Sequence, residues 1–405
     1  MGVSADPWWR DAGALRRFVC DLTAGEMARL RPGRSPVPLP WDPAARWEDD
    51  LGADSLERLQ LATALGEAIH LHRGGFDDGL LTQPTVGAWI ATCAAALERY
   101  SAELTFRTSG STGQPKWCLH SLADLQAEVA LLAHLLAGSK RVVSAVPSYH
   151  IYGFLFTILM PQELGVPVVD VRPHAPARLA TLLASGDAVV AYPDFWRAFV
   201  RAVPRAAPGV SGVTSTAPCP VDLADAVRTA GIARLLEIYG SSETAGIGWR
   251  DDPRRPFELF AYWERGAGDR DLMRRSVDGA ARAQCAPDEL DWEDARHLRP
   301  AGRAEGAVQV GGTNVFPERV AELLRRHPGV AAAAVRLMRP DEGERLKAFI
   351  VPDPPDADPA ALRDSLWAWI DARLTAPERP KSIQIGPDLP AGGLGKSADW
   401  PIPPS

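Results

Sequence analysis

The chain has 405 residues, 46% hydrophobic and 23% charged, enough for two or three domains around a sizeable core. Its 44 Lys and Arg against 51 Asp and Glu leave a net charge of −7, and basic residues never gather in long runs, which excludes a nucleic-acid binder working by bulk positive charge. No apolar run reaches membrane-spanning length, the N-terminus lacks a basic-then-apolar leader, and five scattered cysteines without a C-x-x-C pair exclude a disulfide framework or thiolate zinc site; the cytoplasm is the expected location.

Residues 1–100 read as a small helical bundle with long loops. Leu15, Phe18, Val19 and Leu22 fall at helical spacing, as do Leu61, Leu65 and Ile69 in "DDLGADSLERLQLATALGEAI", where Asp54 is placed to cap and Glu57 completes a capping box. Val86, Trp89, Ile90 and Cys93 mark a further helix. The run from Asp49, with its Asp54-Ser55-Leu56 tripeptide, resembles an acyl carrier protein. That resemblance makes Ser55 a phosphopantetheine candidate at a helix start, where a phosphodiester meets the positive helix end; on the residues alone, Ser55 is equally a capping-turn serine.

From about 101 to 303, apolar β-rich runs ("RVVSAVPS", "VPVVDV", "DAVVAYP") alternate with helical stretches ("ADLQAEVALLAHLLAG", "DLADAVRTAGIARLL"), the signature of an α/β domain with parallel strands. From 304 to 405 a helix ("PERVAELLRR"), two strand candidates ("AAAAVRLM", "RLKAFIVP") and a second helix ("PAALRDSLWAWIDARL") give a compact α+β unit. The basic residues are overwhelmingly Arg, and lysine survives only at 116, 140, 347, 381 and 396. A lysine kept in such a chain points to chemistry that the guanidinium fork does not do.

"TSGSTGQPK", Thr108 to Lys116, is rich in Gly and hydroxyls, a composition that lets backbone amides approach phosphate oxygens. It is not a P-loop, which needs G-x-x-x-x-G-K-[ST]. Followed in order by "PSYHIYGF" (147–154), "TSTAPCP" (214–220), "YGSSET" (239–244), "PDELDWEDARHLRPAGR" (287–303), "VQVGGTNVFPERV" (308–320) and "LPAGGLGK" (389–396), it resembles the acyl- and aryl-adenylating superfamily, which contains 4-coumarate–CoA ligase.

The resemblance implies a truncated adenylating α/β core and a small mobile C-terminal domain, using ATP and Mg2+. It places the nucleotide on Thr108, Ser109, Gly110, Ser111, Thr112, Gly113 and Lys116, with Ala217 and Tyr239 on the adenine side, Gly240 and Ser242 as further cofactor-binding residues of the magnesium motif, and Asp288 and Arg303 at the ribose. It gives Glu243 to magnesium, His150 to the acyl pocket, Lys396 to catalysis of adenylation and Glu305 to the hinge. These roles suit the chemistry, because a carboxylate attacking an α-phosphate needs negative charge neutralised along an in-line path. Departures stand out: Ser215 and Thr216 where the family has glycines, Ser242 for Thr, an unlike stretch from Arg250 to Cys285, and the helical segment where the family has a larger N-terminal subdomain.

Within the family, the short form is most similar to ligases of aryl polyene and xanthomonadin pigment pathways. The implied reaction activates an aryl carboxylic acid, with 3-hydroxybenzoate as the expected substrate, and transfers it to the phosphopantetheine thiol of an acyl carrier protein, its own or a separate one. An aryl-CoA ligase and a non-catalytic carrier-docking scaffold are the alternatives. Tyr152, Phe154 and Trp196 are candidates to line a flat aromatic pocket.

Overall fold

The computed structural model describes residues 6–31, 34–35, 37–108, 116–303, 307–339, 341–390 and 400–402. They fall into two compact units, one running to Ala301 and one from Gly302 onward.

In the first unit, α1 (Ala12–Leu30), α2 (Ser55–Ile69) and α3 (Val86–Arg99) precede a hairpin of β1 (Glu103–Thr108) and β2 (Lys116–Ser121), then α4 (Leu122–Leu135). Each of these helices starts on a side-chain cap. Asp11 accepts from Gly13 and Ala14, Thr85 from Ala88 and Ser121 from Asp124, while Asp54 and Glu57 form the expected capping box. Such caps contribute about 1 kcal/mol each.

The centre is a mixed nine-stranded sheet ordered β13-β14-β9-β8-β7-β6-β5-β3-β4. Strands β3 (Arg141–Ser144), β4 (Val168–Asp170), β5 (Asp187–Ala191), β6 (Ser211–Thr214) and β7 (Arg234–Ser241) run parallel. The strands β8 (Ala245–Arg250) and β9 (Phe257–Leu259) continue it antiparallel. A separate three-stranded sheet, β10 (Trp263–Arg265), β11 (Asp271–Arg275) and β12 (Ala281–Cys285), occupies the stretch that read as unlike the family, and β13 (Asp288–Trp292) and β14 (His297–Arg303) close the unit.

Strand alternation divides the interior in two. Val143, Val189 and Leu235 face one cluster, filled by the helices Pro193–Ala202 and Val221–Thr229. Val142, Val190, Val213 and Leu236 face a second cluster that is continuous with Trp8, Leu15, Phe18, Leu61, Leu65 and Trp89. The N-terminal helices therefore share one core with the sheet, and packing has no break at residue 100. Edge-to-face contacts at 5.2–5.5 Å join Trp8, Phe18 and Phe154, each worth about 0.5–1.5 kcal/mol beyond area burial. The long run expected to be helical past Gly231 ends instead at Thr229, because its "RLL" enters β7, buried on both faces of the sheet.

The second unit holds the two-stranded β15 (Val308–Val310) and β16 (Thr313–Val315), a three-stranded sheet of β17 (Val330–Leu337), β18 (Leu346–Pro352) and β19 (Ser382–Ile385), and helices Pro317–Arg325 and Pro359–Asp371. Its own core gathers Val320, Leu324, Leu346, Ile350, Leu366 and Ile370. Lys347 is fully buried and donates to Glu342 (2.7 Å) and to the carbonyl of Trp400 (2.6 Å), fastening the chain just after the segment that carries Lys396. Among the described residues no helix is long and apolar enough to cross a membrane.

Candidate active site

In a parallel sheet with crossover helices, ligands gather beyond the carboxyl ends of the strands. Three of the expected motifs leave the sheet at that edge. "PSYH" follows β3, "TSTAPCP" follows β6, and Tyr239, Gly240 and Ser241 end β7.

The turn from β7 to β8 is built by close approach. A Cβ at Gly240 would lie 2.1 Å from the carbonyl oxygen of Ala245, so only glycine fits. The Tyr239 hydroxyl donates to Asp288 Oδ2 at 2.8 Å, joining the expected adenine-side and ribose-side residues. Asp288 is buried and Tyr239 half-buried. His120 on β2 is held by the Ser242 carbonyl at 2.7 Å, and burial lowers its pKa. This brings the hairpin that brackets the phosphate loop onto the magnesium motif; Thr108 pairs directly with Lys116 at its base. Burial, with the Glu243 carboxylate nearby, pushes the Cys118 thiol up to about 12. Glu243 itself is exposed.

Behind that turn lies a buried pair that the sequence does not announce. Glu128 on α4 accepts from the Gly246 N–H (2.8 Å), while Arg274 on β11 sits 3.4 Å from the other Glu128 oxygen and donates to the Thr244 carbonyl (3.0 Å). Arg274 also lies over the rings of Tyr262 and Trp263. The unfamiliar stretch 250–285 thus supplies a brace for "SSET". A second buried pair, Glu237 with Arg250 (2.7 Å), receives the Cys219 N–H at 3.0 Å and holds the "TSTAPCP" loop. In that loop Ser215 is anchored to the Ile238 carbonyl (2.8 Å), Ala217 is half-buried, and Thr216 is exposed in the left-handed region at φ 76°. A threonine there carries strain that glycine avoids.

His150 is exposed, yet the surrounding protein lowers its imidazole to about 4 by desolvation, so the ring is neutral at physiological pH. Tyr149 packs its ring on His150 at 4.1 Å.

The aromatic pocket expected from Tyr152, Phe154 and Trp196 is not formed. Phe154 is fully buried against Trp8 and Phe18, Trp196 is fully buried on the opposite face of the sheet, and Tyr152 donates to the Ala191 carbonyl inside the core. Ser109, Gly110, Ser111, Thr112, Gly113, Glu305 and Lys396 lie outside the described residues, and of Thr108 and Arg303 only the backbone, in β1 and β14, is described. Ser55 is exposed as the first residue of α2.

Magnesium is fitted by this arrangement as far as it is described. Mg2+ keeps several waters and takes one or two carboxylates plus phosphate oxygens. Among the described residues no three His, Cys, Asp or Glu gather into a cage, and Glu243 presents one exposed carboxylate at the sheet edge.

Comparison with known proteins agrees with the geometry. Residues 104–318 match the family described as AMP-binding enzyme, and residues 319–396 match its C-terminal domain. A 4-coumarate–CoA ligase of Halorhodospira halophila is 38% identical over 391 residues, covering 95% of this chain and 98% of that protein. One from Rhodobacter capsulatus is 36% identical over 396 residues, 95% of this chain and 100% of its own length. An amide bond synthetase from Marinactinospora thermotolerans shares the fold at a TM-score of 0.60 and 20% identity, covering 95% of this chain and 92% of that one. With Tyr239 bonded to Asp288 and an exposed Glu243 at the sheet edge, and with relatives aligned across nearly its whole length, the chain belongs to the AMP-binding enzyme family, whose ligases use ATP and Mg2+.

Proposed function

We propose that the protein activates an aryl carboxylic acid with ATP and transfers it to the thiol of CoA, with 4-coumarate as the acid to test first. The observation that carries this reading is the carboxyl edge of the sheet, where the Tyr239–Asp288 hydrogen bond and the exposed Glu243 lie and from which the loop bearing the exposed His150 leaves. Its support is the match, nearly end to end, to relatives named 4-coumarate–CoA ligases. Because those relatives are of the same compact length, the N-terminal helices fit a short ligase without an appended carrier.

The acid's carboxylate oxygen attacks the α-phosphorus of ATP, and the bond to pyrophosphate breaks. Thr108, Ser109, Gly110, Ser111, Thr112, Gly113 and Lys116 cradle the departing phosphates; Ala217 and Tyr239 seat the adenine; Gly240 and Ser242 shape the turn beside the metal site; Asp288 and Arg303 hold the ribose. Lys396 balances charge between carboxylate and α-phosphate. Glu243 would hold Mg2+, which when bound would supply charge neutralisation on the phosphates. Neutral His150 flanks the acid without placing a second cation beside the reacting carboxylate. The thiol sulfur then attacks the acyl carbon and AMP leaves. Residues 101–303 carry the core and 304–405 the mobile domain, turning at Glu305 between the two half-reactions.

A second reading rests on Ser55, exposed at the capped start of α2 with Leu56 exposed beside it. Here residues 1–100 act as a carrier-like module, the acid is 3-hydroxybenzoate, the acceptor is a phosphopantetheine thiol, and the product feeds an aryl polyene or xanthomonadin-type pigment in the cytoplasm.

The deciding experiment measures pyrophosphate release with each acid, then thioester formation with CoA and with a phosphopantetheinylated carrier. Saturable 4-coumaroyl-CoA formation is expected. Release confined to 3-hydroxybenzoate, with an aroyl-phosphopantetheine mass lost in Ser55→Ala, would replace it with the second reading. No release with any acid sinks both.

A further inference from the structure

Resting on the reading of His150 as part of the acid site, we propose that Asp21 and Gly25 of the N-terminal helix α1 are positioning residues for the acid pocket, setting the place of His150 through Ser148 and Tyr149. Asp21 is 2% exposed, a burial that a carboxylate tolerates only when fully paired. Its Oδ2 accepts from both the backbone N–H and the hydroxyl of Ser148, each at 2.7 Å, and its Oδ1 accepts from Arg172 at 2.7 Å. Arg172 in turn holds Asp170 at the end of β4. The carboxylate therefore clamps the loop after β3 to the end of the neighbouring strand with charge-assisted hydrogen bonds, the stronger class.

One turn further along α1, Gly25 lies directly under Tyr149. A Cβ there would meet the ring at 2.6 Å, closer than real contacts allow, so the absence of a side chain defines how deep the ring sits. Tyr149 packs on His150 at 4.1 Å, and the chain turns into a helix at Ile151. Ser148, Tyr149 and His150 are consecutive; α1 fixes the first by hydrogen bonds and the second by shape, and the third inherits its position from both. Neither α1 residue touches the reacting atoms.

The test uses the full-length protein and three variants, Gly25→Ala, Asp21→Asn and Tyr149→Leu, with the double variant Gly25→Ala/Tyr149→Leu. Acid-dependent pyrophosphate release should show an acid KM raised about tenfold in Gly25→Ala and Asp21→Asn while the ATP KM stays within about twofold, the split expected when only one half of a site is displaced. Gly25→Ala should have little further effect in the Tyr149→Leu background, because the ring it collides with is gone. Loss of stability alone would lower kcat through a smaller active fraction and leave both KM values unchanged; that result together with an unmoved His150 resonance overturns the proposal.

A second readout is independent of turnover. The His150 imidazole resonance, assigned by its loss in His150→Gln, should titrate higher in Gly25→Ala and Asp21→Asn than in the parent. An unmoved resonance overturns the positioning claim, whereas a moved resonance without a KM split leaves the positioning standing and removes His150 from the acid site.

Discussion

The two loops that meet at the carboxyl edge of the sheet are held by different means. The turn from β7 to β8, Tyr239 to Ala245, is braced from within the α/β region by Glu128 with Arg274 and, through the adjoining loop, by Glu237 with Arg250. The loop before His150 is braced by α1, whose Asp21 lies 127 residues upstream of Ser148. One half of the site is supported by elements of the α/β region packed beside it, the other by the N-terminal helix α1. The lesson is that a motif can be local while the structure that makes it rigid is not, and that the N-terminal helices are structural members of the site.

This contrast can be broken most severely by removing residues 1–100. The truncated chain should lose its cooperative unfolding transition and aggregate, because Phe154 and its neighbours would become a large exposed apolar face; a soluble, active fragment from Ser101 onward would abolish the contrast. Next in size, Arg274→Met leaves Glu128 buried without its cation. A loss of about 3–5 kcal/mol is expected, a fall in Tm on the order of 10 °C, accompanied by a higher KM for ATP than for the acid. An acid-side defect instead would show that the two loops are not separately supported.

The pH dependence sharpens the same brace. Burial pushes Glu128 up to about 7, above its unfolded value of 4.5. The folded chain then holds this proton more tightly than the unfolded one, so stability is fullest below about pH 4.5 and declines as pH rises towards 7. Glu128→Gln should flatten that decline, with a gain over the parent of at most about 3 kcal/mol near neutrality; melting both proteins across this window would reveal parallel curves if the residue does not titrate there. The smallest effect is expected at Thr216, whose exposed backbone sits in the left-handed region at φ 76°. Thr216→Gly should stabilise by about 1 kcal/mol, measurable by urea unfolding, and a destabilised variant would mean the hydroxyl compensates the strain.

Much of the site was legible because its chemistry is concentrated in short runs. The strands Arg141–Ser144 and Asp187–Ala191 and the capped start of α2 announce themselves by apolar runs and cap residues. "YGSSET" and "PSYH" were recognisable by order alone. The braces were not. Asp21 sits in an ordinary amphipathic helix, and nothing in its neighbours foretells that it will be 2% exposed. Glu128 and Arg274 are separated by 146 residues and belong to elements with no shared pattern. Trp196 and Phe154, with Tyr152, read as pocket aromatics because composition carries no information about which face of the sheet a helix will cover; the helices Ile151–Phe154 and Pro193–Ala202 bury them in opposite cores. That residues 1–100 share a core with the sheet was hidden for a related reason. Helical periodicity reveals that a helix has an apolar side, not whose surface will cover it.

The packing of α1 against the helical stretch 151–164 also bears on how the chain is made. Ribosomes deliver roughly 5–20 residues per second, so α1 emerges on the order of ten seconds before the segment carrying Ser148 and Phe154. During that interval the apolar side of the first helix, with Phe18 and the unpaired Asp21 carboxylate, has only the other N-terminal helices for company. A nascent chain stalled near residue 140 should therefore recruit chaperones at α1, and slow codons placed shortly after that point would lengthen the exposure.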